Sequence, residues 1–158
     1  ADNPAAREIN WLVDLISQIR SVRAEVNVPA GAQIPIVLVG ASDQKRGWIA
    51  THEAAIKRLA RVEAISEADA PPPQSAQVIL GDVAVCLPLS GVVDLDAERS
   101  RLRKELDRLA GEIKKIDAKL SNPSFVERAP EEVVEEQRER REEADSRRVK
   151  VEEALGRL

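Results

Sequence analysis

Six apolar residues in the second half of the chain recur at alternating spacings of four and three. They form the first seam: Leu102, Leu106, Leu109, Ile113, Ile116 and Leu120. An apolar repeat averaging 3.5 residues keeps one face of a helix against a partner helix and is typical of a coiled coil. It predicts a helix over 95–120, about 39 Å long at about 1.5 Å per residue.

A second seam follows a break in this helix. Polar residues and a proline over 121–125 interrupt the pattern, and Pro130 suits the first turn of a new helix. The second seam has the same spacing, with three polar members: Val134, Gln137, Arg141, Ala144, Arg148, Val151, Leu155 and Leu158. A short link between two such helices predicts a long antiparallel two-helix coiled-coil hairpin. We expect its weakest packing around Arg141 and Arg148.

The residues before the first seam have a different composition. Seven of the nine prolines lie in residues 1–94, whereas the density of charged side chains more than doubles after residue 94. A change of this kind indicates a mixed globular unit followed by long solvated helices. We therefore predict two domains, a small α+β domain at 1–91 and the hairpin at 92–158.

The first domain contains both helical and strand patterns. One amphipathic helix is predicted from Asn3-Pro4 to near Asn27, and a second over about 44–62. Short apolar runs predict strands at 34–39, 62–65, 77–80 and 83–89, and Gly81-Asp82 between the last two is a hairpin signal. The fold class is therefore α+β, with a mostly antiparallel sheet.

Composition excludes several classes of function. The formal net charge of −4 argues against a generic, strongly basic nucleic-acid binder. A single cysteine, Cys86, and a single histidine, His52, exclude a disulfide framework and the common zinc motifs. No catalytic grouping, phosphate-binding glycine loop or metal site is recognisable. The sequence also has no apolar run long enough to span a bilayer and no leader in residues 1–10, so we expect a cytoplasmic, reduced compartment.

The isolated reactive or aromatic residues have structural explanations. His52 in a helix is expected to be solvated or locally hydrogen-bonded rather than a catalytic base. Cys86 in a strand is expected to be a buried structural thiol. Trp11 and Trp48 on helix faces are expected to belong to the core rather than to a stacking platform.

Basic residues on the first hairpin helix are the main candidate site. At 100° per residue five of them fall close to one side, and together they form the basic stripe: Arg101, Lys104, Arg108, Lys115 and Lys119. Such a stripe can follow a phosphate backbone, which provides position rather than sequence readout. The alternative is that these residues form i,i+4 salt bridges on a long exposed helix pair.

The single phenylalanine, Phe125, is the other candidate. It is predicted to lie in the turn between the two hairpin helices, beside Val126. There it either closes the end of the seam or stacks on an exposed base.

Three segments resemble valyl-tRNA synthetases. They are IRSVRAEVNVP over 19–29, GVVDLDAERSRL over 91–102, and KLSNPSFV over 119–126 with APEEVV over 129–134. The resemblance implies that this is a C-terminal piece of a class I synthetase, with its small domain at the end of the anticodon-binding region. It also implies that the hairpin is a tRNA-binding arm that contacts the elbow of tRNA(Val), where the D and T loops meet.

The same resemblance carries expectations about chemistry and partners. The catalytic and editing domains would lie elsewhere, so this chain would hold no catalytic residue, metal or cofactor, and ATP would be used by the absent catalytic domain. Partners would be tRNA(Val) and the remaining domains of the synthetase, and no membrane. The free fragment would be a monomer or a weak coiled-coil dimer. Arg20 and Arg23, within the first matching segment, would face either tRNA or a missing domain.

Two interpretations other than the tRNA-binding arm of a valyl-type enzyme remain open. One is that the hairpin is a protein-interaction module that dimerises or docks on a partner helix. A seryl-type synthetase arm is a further possibility, although that arm precedes its catalytic domain, and no α+β unit like residues 28–90 is expected before it.

Overall fold

The computed structural model describes residues 3–158. Its elements are α1 (Pro4–Glu25), β1 (Ile34–Val39), α2 (Asp43–Thr51), α3 (Glu53–Ala60), β2 (Val62–Glu67), β3 (Ser75–Leu80), β4 (Val83–Pro88), α4 (Leu95–Leu120), α5 (Pro123–Arg128) and α6 (Glu131–Gly156). Contacts divide them into two units. The first unit comprises the described residues up to Glu98 together with Arg157 and Leu158 from the other end of the chain. The second unit is Arg99–Gly156.

The first helix begins and ends close to where the sequence predicts. The Asn3 side chain accepts a hydrogen bond from the Ala5 N–H at 3.0 Å, and Pro4 occupies the first turn. The helix ends at Glu25, and Asn27 has a left-handed φ of 58°. Its buried apolar face is part of the hydrophobic core that it shares with the strands. The face consists of Leu12, Leu15, Ile19 and Val22.

The sheet is mixed, with strand order β2-β1-β4-β3. Strands β1 and β4, and β3 and β4, pair antiparallel, whereas β1 and β2 pair parallel. The prediction of a mostly antiparallel sheet is therefore only partly right. The reason is the connection, since α2 and α3 carry the chain back across the sheet and β2 starts in the same direction as β1. A short apolar run in the sequence does not specify its partner strand.

The hairpin signal at Gly81-Asp82 is confirmed. Leu80 pairs with Val83 across a two-residue loop, and Gly81 has a φ of +61°. Glycine adopts this φ without steric cost, which permits the tight turns that match strand twist. The loop therefore sets the register of β3 against β4.

The prediction of a single helix over about 44–62 is wrong, because the helix is interrupted at His52. This residue ends α2 and precedes α3 with φ −109° and ψ 19°. Ile49 and Ile56 are both buried and seven residues apart, as in an unbroken helix. A break of one residue that preserves this spacing leaves no trace in hydrophobic periodicity.

The second unit consists of two long helices joined by a short one. Helix α4 has the predicted bounds, and α6 begins one residue after Pro130. Two ion pairs cross between the long helices, Glu105 with Arg147 and Asp117 with Arg141. The residue later in α4, Asp117, pairs with the residue earlier in α6, Arg141. The two helices are therefore antiparallel, as predicted.

Burial in this unit follows the two seams. In the first seam Leu102, Leu109 and Ile116 are buried and the intervening members are half-buried. In the second seam Gln137 is buried at 7% exposure despite its polarity, and Arg141 is half-buried. Every seam member is therefore at least half-buried within one copy of the chain.

The linker between the long helices is more ordered than the predicted turn. Residues 123–128 form α5, with Pro123 in its first turn and the Asn122 side chain accepting a hydrogen bond from the Ser124 N–H at 3.0 Å. The cap and proline favour a helix start at this point. Phe125 accordingly lies in a short helix rather than in an irregular turn.

The predicted domain boundary between residues 91 and 92 remains a prediction. The division by contacts falls later because Leu95, in the first turn of α4, is buried in the core of the first unit. Arg157 also belongs to this unit and donates a hydrogen bond to Glu25 at 2.7 Å. Ala1 and Asp2, the first residues of the predicted small domain, lie outside the described residues.

Candidate nucleic-acid interface

The two long helices of the second unit carry opposite charge. Residues 99–120 contain eight Lys or Arg and four Asp or Glu, a net charge of +4. Residues 131–156 contain six Lys or Arg and ten Asp or Glu, a net charge of −4. The overall charge of the chain conceals this division. An anionic ligand would therefore be attracted to α4 and repelled by α6.

The basic stripe lies on the solvent side of α4. Its members fall within about 60° of the helix circumference, away from the buried seam. Lys104, Arg108, Lys115 and Lys119 are exposed, and Arg101 is half-buried. The structure thus places all five predicted residues along one face.

Two members of the stripe have acidic partners on the same helix. Arg101 lies 3.8 Å from Glu105, and Arg108 lies 3.3 Å from Glu112. Both are i,i+4 pairs, so the salt-bridge interpretation accounts for these two arginines. An exposed pair of this kind contributes little stability.

The lysines of the stripe differ from its arginines. Within residues 3–158, Lys104, Lys115 and Lys119 make no ion pair or hydrogen bond through their ammonium groups. Lys104 and Lys115 are eleven residues apart, or about 16 Å along the helix. The uncompensated charge of α4 therefore includes these three lysines, spread over several turns.

Basic side chains on α6 are mostly neutralised by neighbouring carboxylates. Arg138 and Arg140 pair with glutamates one turn earlier, and Arg148 pairs with both Asp145 and Glu152. Arg147 reaches Glu105 on α4 at 2.8 Å. The salt-bridge interpretation thus fits α6 better than it fits the lysines of α4.

The cross-helix ion pairs also set the ionisation of their carboxylates. The pKa of Glu105 is lowered, first by its hydrogen bond from Arg147 and further by the positive charges of Arg147, Arg101 and Arg108, against an opposing effect of burial. The hydrogen bond from Arg141 likewise lowers the pKa of Asp117, and the pKa of Arg141 is raised in return. Both side chains are therefore charged in the folded state at neutral pH, and their ion pairs stabilise that state.

These shifts predict an acid-sensitive second unit. A carboxylate with a lowered folded pKa contributes stability above its unfolded pKa, about 4 for Asp and Glu, which is lost as pH falls through the folded value. Glu105→Gln combined with Asp117→Asn should lower the urea midpoint at pH 7, and the gap from wild type should close below about pH 4. Far-UV circular dichroism at a series of pH values measures both midpoints. A gap that is independent of pH would contradict this origin.

Phe125 is only partly accessible to solvent. It is half-buried in α5, whereas its neighbour Val126 is 37% exposed. Closure of the seam end and base stacking by Phe125 both remain predictions.

Other candidate residues agree with their structural explanations. Cys86 is buried, and burial raises the pKa of its thiol. His52 Nε2 lies 3.3 Å from Glu8 Oε2, a local contact with α1. No cluster of three or more His, Cys, Asp or Glu suited to a metal occurs within residues 3–158, and no helix there has the length and apolarity to cross a membrane.

The two tryptophans form a half-buried pair, of which only Trp11 is packed against the core cluster. Their ring centroids are 5.9 Å apart, and the Lys45 ammonium lies 4.2 Å from the Trp48 centroid and 5.3 Å from the Trp11 centroid. Trp11 packs against the core as expected, but the sequence offers no sign of the lysine that lies over both rings. A cation in this position is attracted by the negative ring face.

Comparisons with known proteins match the chain to one family. Residues 94–158 match the family described as the valyl-tRNA synthetase tRNA-binding arm. The valine–tRNA ligase of Brucella suis biovar 1 (strain 1330) is 52% identical over 139 residues, covering 88% of this chain and 15% of that protein. The chain belongs to the valyl-tRNA synthetase family. The resemblance seen in the three sequence segments is thereby confirmed.

Two further relatives align over almost the whole chain. The valine–tRNA ligase of Agrobacterium fabrum (strain C58 / ATCC 33970) is 48% identical over 99% of this chain and 17% of its own length. That of Bartonella henselae (strain ATCC 49882 / DSM 28221 / CCUG 30454 / Houston 1) is 46% identical over 100% of this chain and 17% of its own length. The chain therefore spans about a sixth of the length of the curated relatives it matches. Similarity to valyl-tRNA synthetases thus includes the α+β unit as well as the arm.

Proposed function

We propose that this chain is a non-catalytic, tRNA-binding part of a cytoplasmic valine–tRNA ligase. Its arm, residues 94–158, would bind tRNA(Val) while the remaining domains of the enzyme use ATP to attach valine. The chain itself would hold no cofactor. The observation that carries the proposal is the row of unpaired lysines on α4, in a segment whose family is named for tRNA binding.

The charge division of the arm supports one mode of contact. Lys104, Lys115 and Lys119 are spaced so that they can follow a phosphate backbone along α4, while the acidic α6 faces away from it. Contacts of this type orient the RNA without reading its bases. A contact at the elbow of tRNA, which is common to most tRNAs in shape, would suit such a surface.

A coiled-coil interaction module is less well supported. That alternative needs an apolar seam left open for a second helix. Both seams are instead at least half-buried within one copy. Their burial supports a monomeric fragment, and concentration-dependent self-association would count against it.

A salt series tests the proposal. The chain is titrated against unmodified tRNA(Val), and against the same tRNA lacking the D-loop/T-loop corner. If three lysines each contact a phosphate, log K should fall with log salt with a slope of about −2 or steeper, since each contact contributes about −0.7 to −0.9. Binding that is insensitive to salt would contradict phosphate contacts. Equal affinity for both RNAs would contradict the elbow contact.

A further inference from the structure

The α+β unit contains a cleft lined by four arginines. Arg20 and Arg23 lie on α1, whereas Arg58 and Arg61 lie at the end of α3, and these four form the arginine cluster. The cleft has a volume of about 390 Å³. Its other lining residues are aliphatic, and none is acidic: Ala24, Val28, Ala30, Leu59 and Ala60. This concentration of positive charge is unusual in a chain with a net charge of −4.

Arg23 is the buried member of the cluster. It is only 7% exposed, and its guanidinium donates hydrogen bonds to the carbonyl oxygens of Ala32 at 2.6 Å, Pro29 at 3.2 Å and Arg61 at 3.4 Å. No carboxylate in residues 3–158 forms an ion pair with it. The pKa of Arg23 is lowered, first by burial and then by the positive charge of Arg61. An anion in the cleft would relieve this repulsion.

The other three arginines are exposed and uncompensated. Arg20, Arg58 and Arg61 make no ion pair and no hydrogen bond through their side chains within residues 3–158. The negative C-terminal end of α3 explains a preference for Arg58 in its last turn. It does not explain Arg20, which lies five residues before the end of α1 and outside its last turn.

The backbone of Arg61 ends α3 and positions its carbonyl group in the cleft. Arg61 caps α3 in the left-handed region, with φ 53° and ψ 51°. Glycine or asparagine is the usual residue at such a cap, because a larger side chain is disfavoured there. The turn at this position brings the Arg61 carbonyl oxygen within 3.4 Å of the Arg23 guanidinium, which donates to it.

We propose that the arginine cluster binds phosphate groups of an RNA backbone. Guanidinium groups present paired N–H donors that match phosphate oxygens, and several of them around one cleft can hold adjacent phosphates. Leu59, which is 47% exposed, offers an apolar surface for a ribose beside them. The choice of RNA rests on the proposed function, since the same tRNA would then be held at a second point and the two contacts would add avidity.

The test compares two double variants of the 158-residue chain. Arg20→Gln with Arg58→Gln removes two exposed charges and leaves Arg23 and Arg61 in place. The matched control, Arg138→Gln with Arg140→Gln, removes two charges from α6. Binding to tRNA(Val) is measured between 50 and 200 mM salt by fluorescence anisotropy, and circular dichroism checks that each variant is folded.

The cluster variant should bind about tenfold more weakly at low salt, and its salt slope should be less negative by about 1 to 2. The control should bind as wild type does or slightly more weakly. Unchanged affinity and slope in the cluster variant would overturn the proposal while leaving the arm intact. By contrast, loss of binding in this variant with no effect of reversing the α4 lysines would support the cluster and overturn the proposed role of the arm.

An acidic peptide distinguishes RNA from protein as the ligand. A poly-glutamate peptide with the same number of charges as a short single-stranded RNA is added as a competitor. The RNA should displace tRNA from the wild-type chain at a lower concentration than the peptide does, and this advantage should shrink in the cluster variant. If the peptide competes equally well in wild type, the cleft is a carboxylate site and the assignment to RNA is overturned.

Discussion

Reversing Lys104, Lys115 and Lys119 to glutamate should weaken binding of tRNA by this chain on the order of a hundredfold at low salt. The three side chains are exposed and have no ion pair to lose within residues 3–158, so the reversal disturbs no salt bridge. Each lost phosphate contact removes about 0.7 to 0.9 from the magnitude of the salt slope, and the new carboxylates repel the RNA backbone. Anisotropy titrations over a salt series measure both effects.

A matched control separates position from net charge. Arg138→Glu, Arg140→Glu and Lys150→Glu reverse three charges on α6, which already carries a net charge of −4. If α4 alone faces the RNA, this control should lose much less affinity than the α4 variant does. An equal loss in both would show that binding depends only on overall charge, and the assignment of the interface to α4 would then be wrong. Arg108 is left out of the α4 variant because its reversal would also break the pair with Glu112. The control does break two exposed pairs, Arg138 with Glu135 and Arg140 with Glu136, so circular dichroism must first show that its helix content is that of wild type.

Leu109→Ala should destabilise the arm by about 2–5 kcal/mol, the usual cost of removing a large side chain from a core. Leu109 is 2% exposed and is the central buried leucine of the first seam. A two-helix arm buries little apolar surface per residue, so it has few other contacts with which to compensate. Far-UV circular dichroism in urea should show helix lost at lower denaturant than in wild type.

The positions of the tryptophans make this experiment selective. Trp11 and Trp48 both lie in the α+β unit, so their fluorescence reports on that unit, whereas circular dichroism reports on both. In Leu109→Ala the tryptophan transition should stay at its wild-type midpoint. The control Val149→Ala, at a residue that is 41% exposed on α6, should change stability by less than about 0.5 kcal/mol. An equal shift of both signals would contradict separate unfolding of the arm.

Opposite charge on the two long helices gives the arm a direction. A helix pair with evenly mixed charge would attract an RNA backbone from no particular side. Here the carboxylates of α6 neutralise most of the arginines on that helix and two of its arginines reach across to α4. Cross-helix pairing therefore stabilises the antiparallel arrangement while the lysines of α4 stay available to a ligand.

Local signals in the sequence predicted several elements closely. The 4-3-4 spacing of large apolar residues defined α4 as Leu95–Leu120, and the Asn3-Pro4 cap marked the start of α1. The Gly81-Asp82 pair located the β3–β4 turn. Each of these depends on interactions within a few residues along the chain, so its information is present in a short segment.

Partnerships between distant segments required the tertiary structure. Whether β2 runs parallel to β1, and whether the chain breaks at His52 next to Glu8, depends on contacts that span many residues. Helical periodicity placed the basic stripe on one face of α4. The sequence offered i,i+4 salt bridges as an alternative for all five members of the stripe. Only the structure shows that such pairs form at Arg101 and Arg108 and not at the three lysines.

The arginine cluster illustrates the same limit for binding sites. The sequence drew attention to Arg20 and Arg23 through a motif, but it gave no reason to group them with Arg58 and Arg61. Packing of α1 against α3 brings these four together across a sequence distance of more than thirty residues. Sequence by itself determined the helical arm, its seams and the α+β class, since these follow from local periodicity and turn chemistry. Only the tertiary structure decided which charges are neutralised and which converge, because electrostatic interactions act between residues that are close in space, however far apart they lie in the chain.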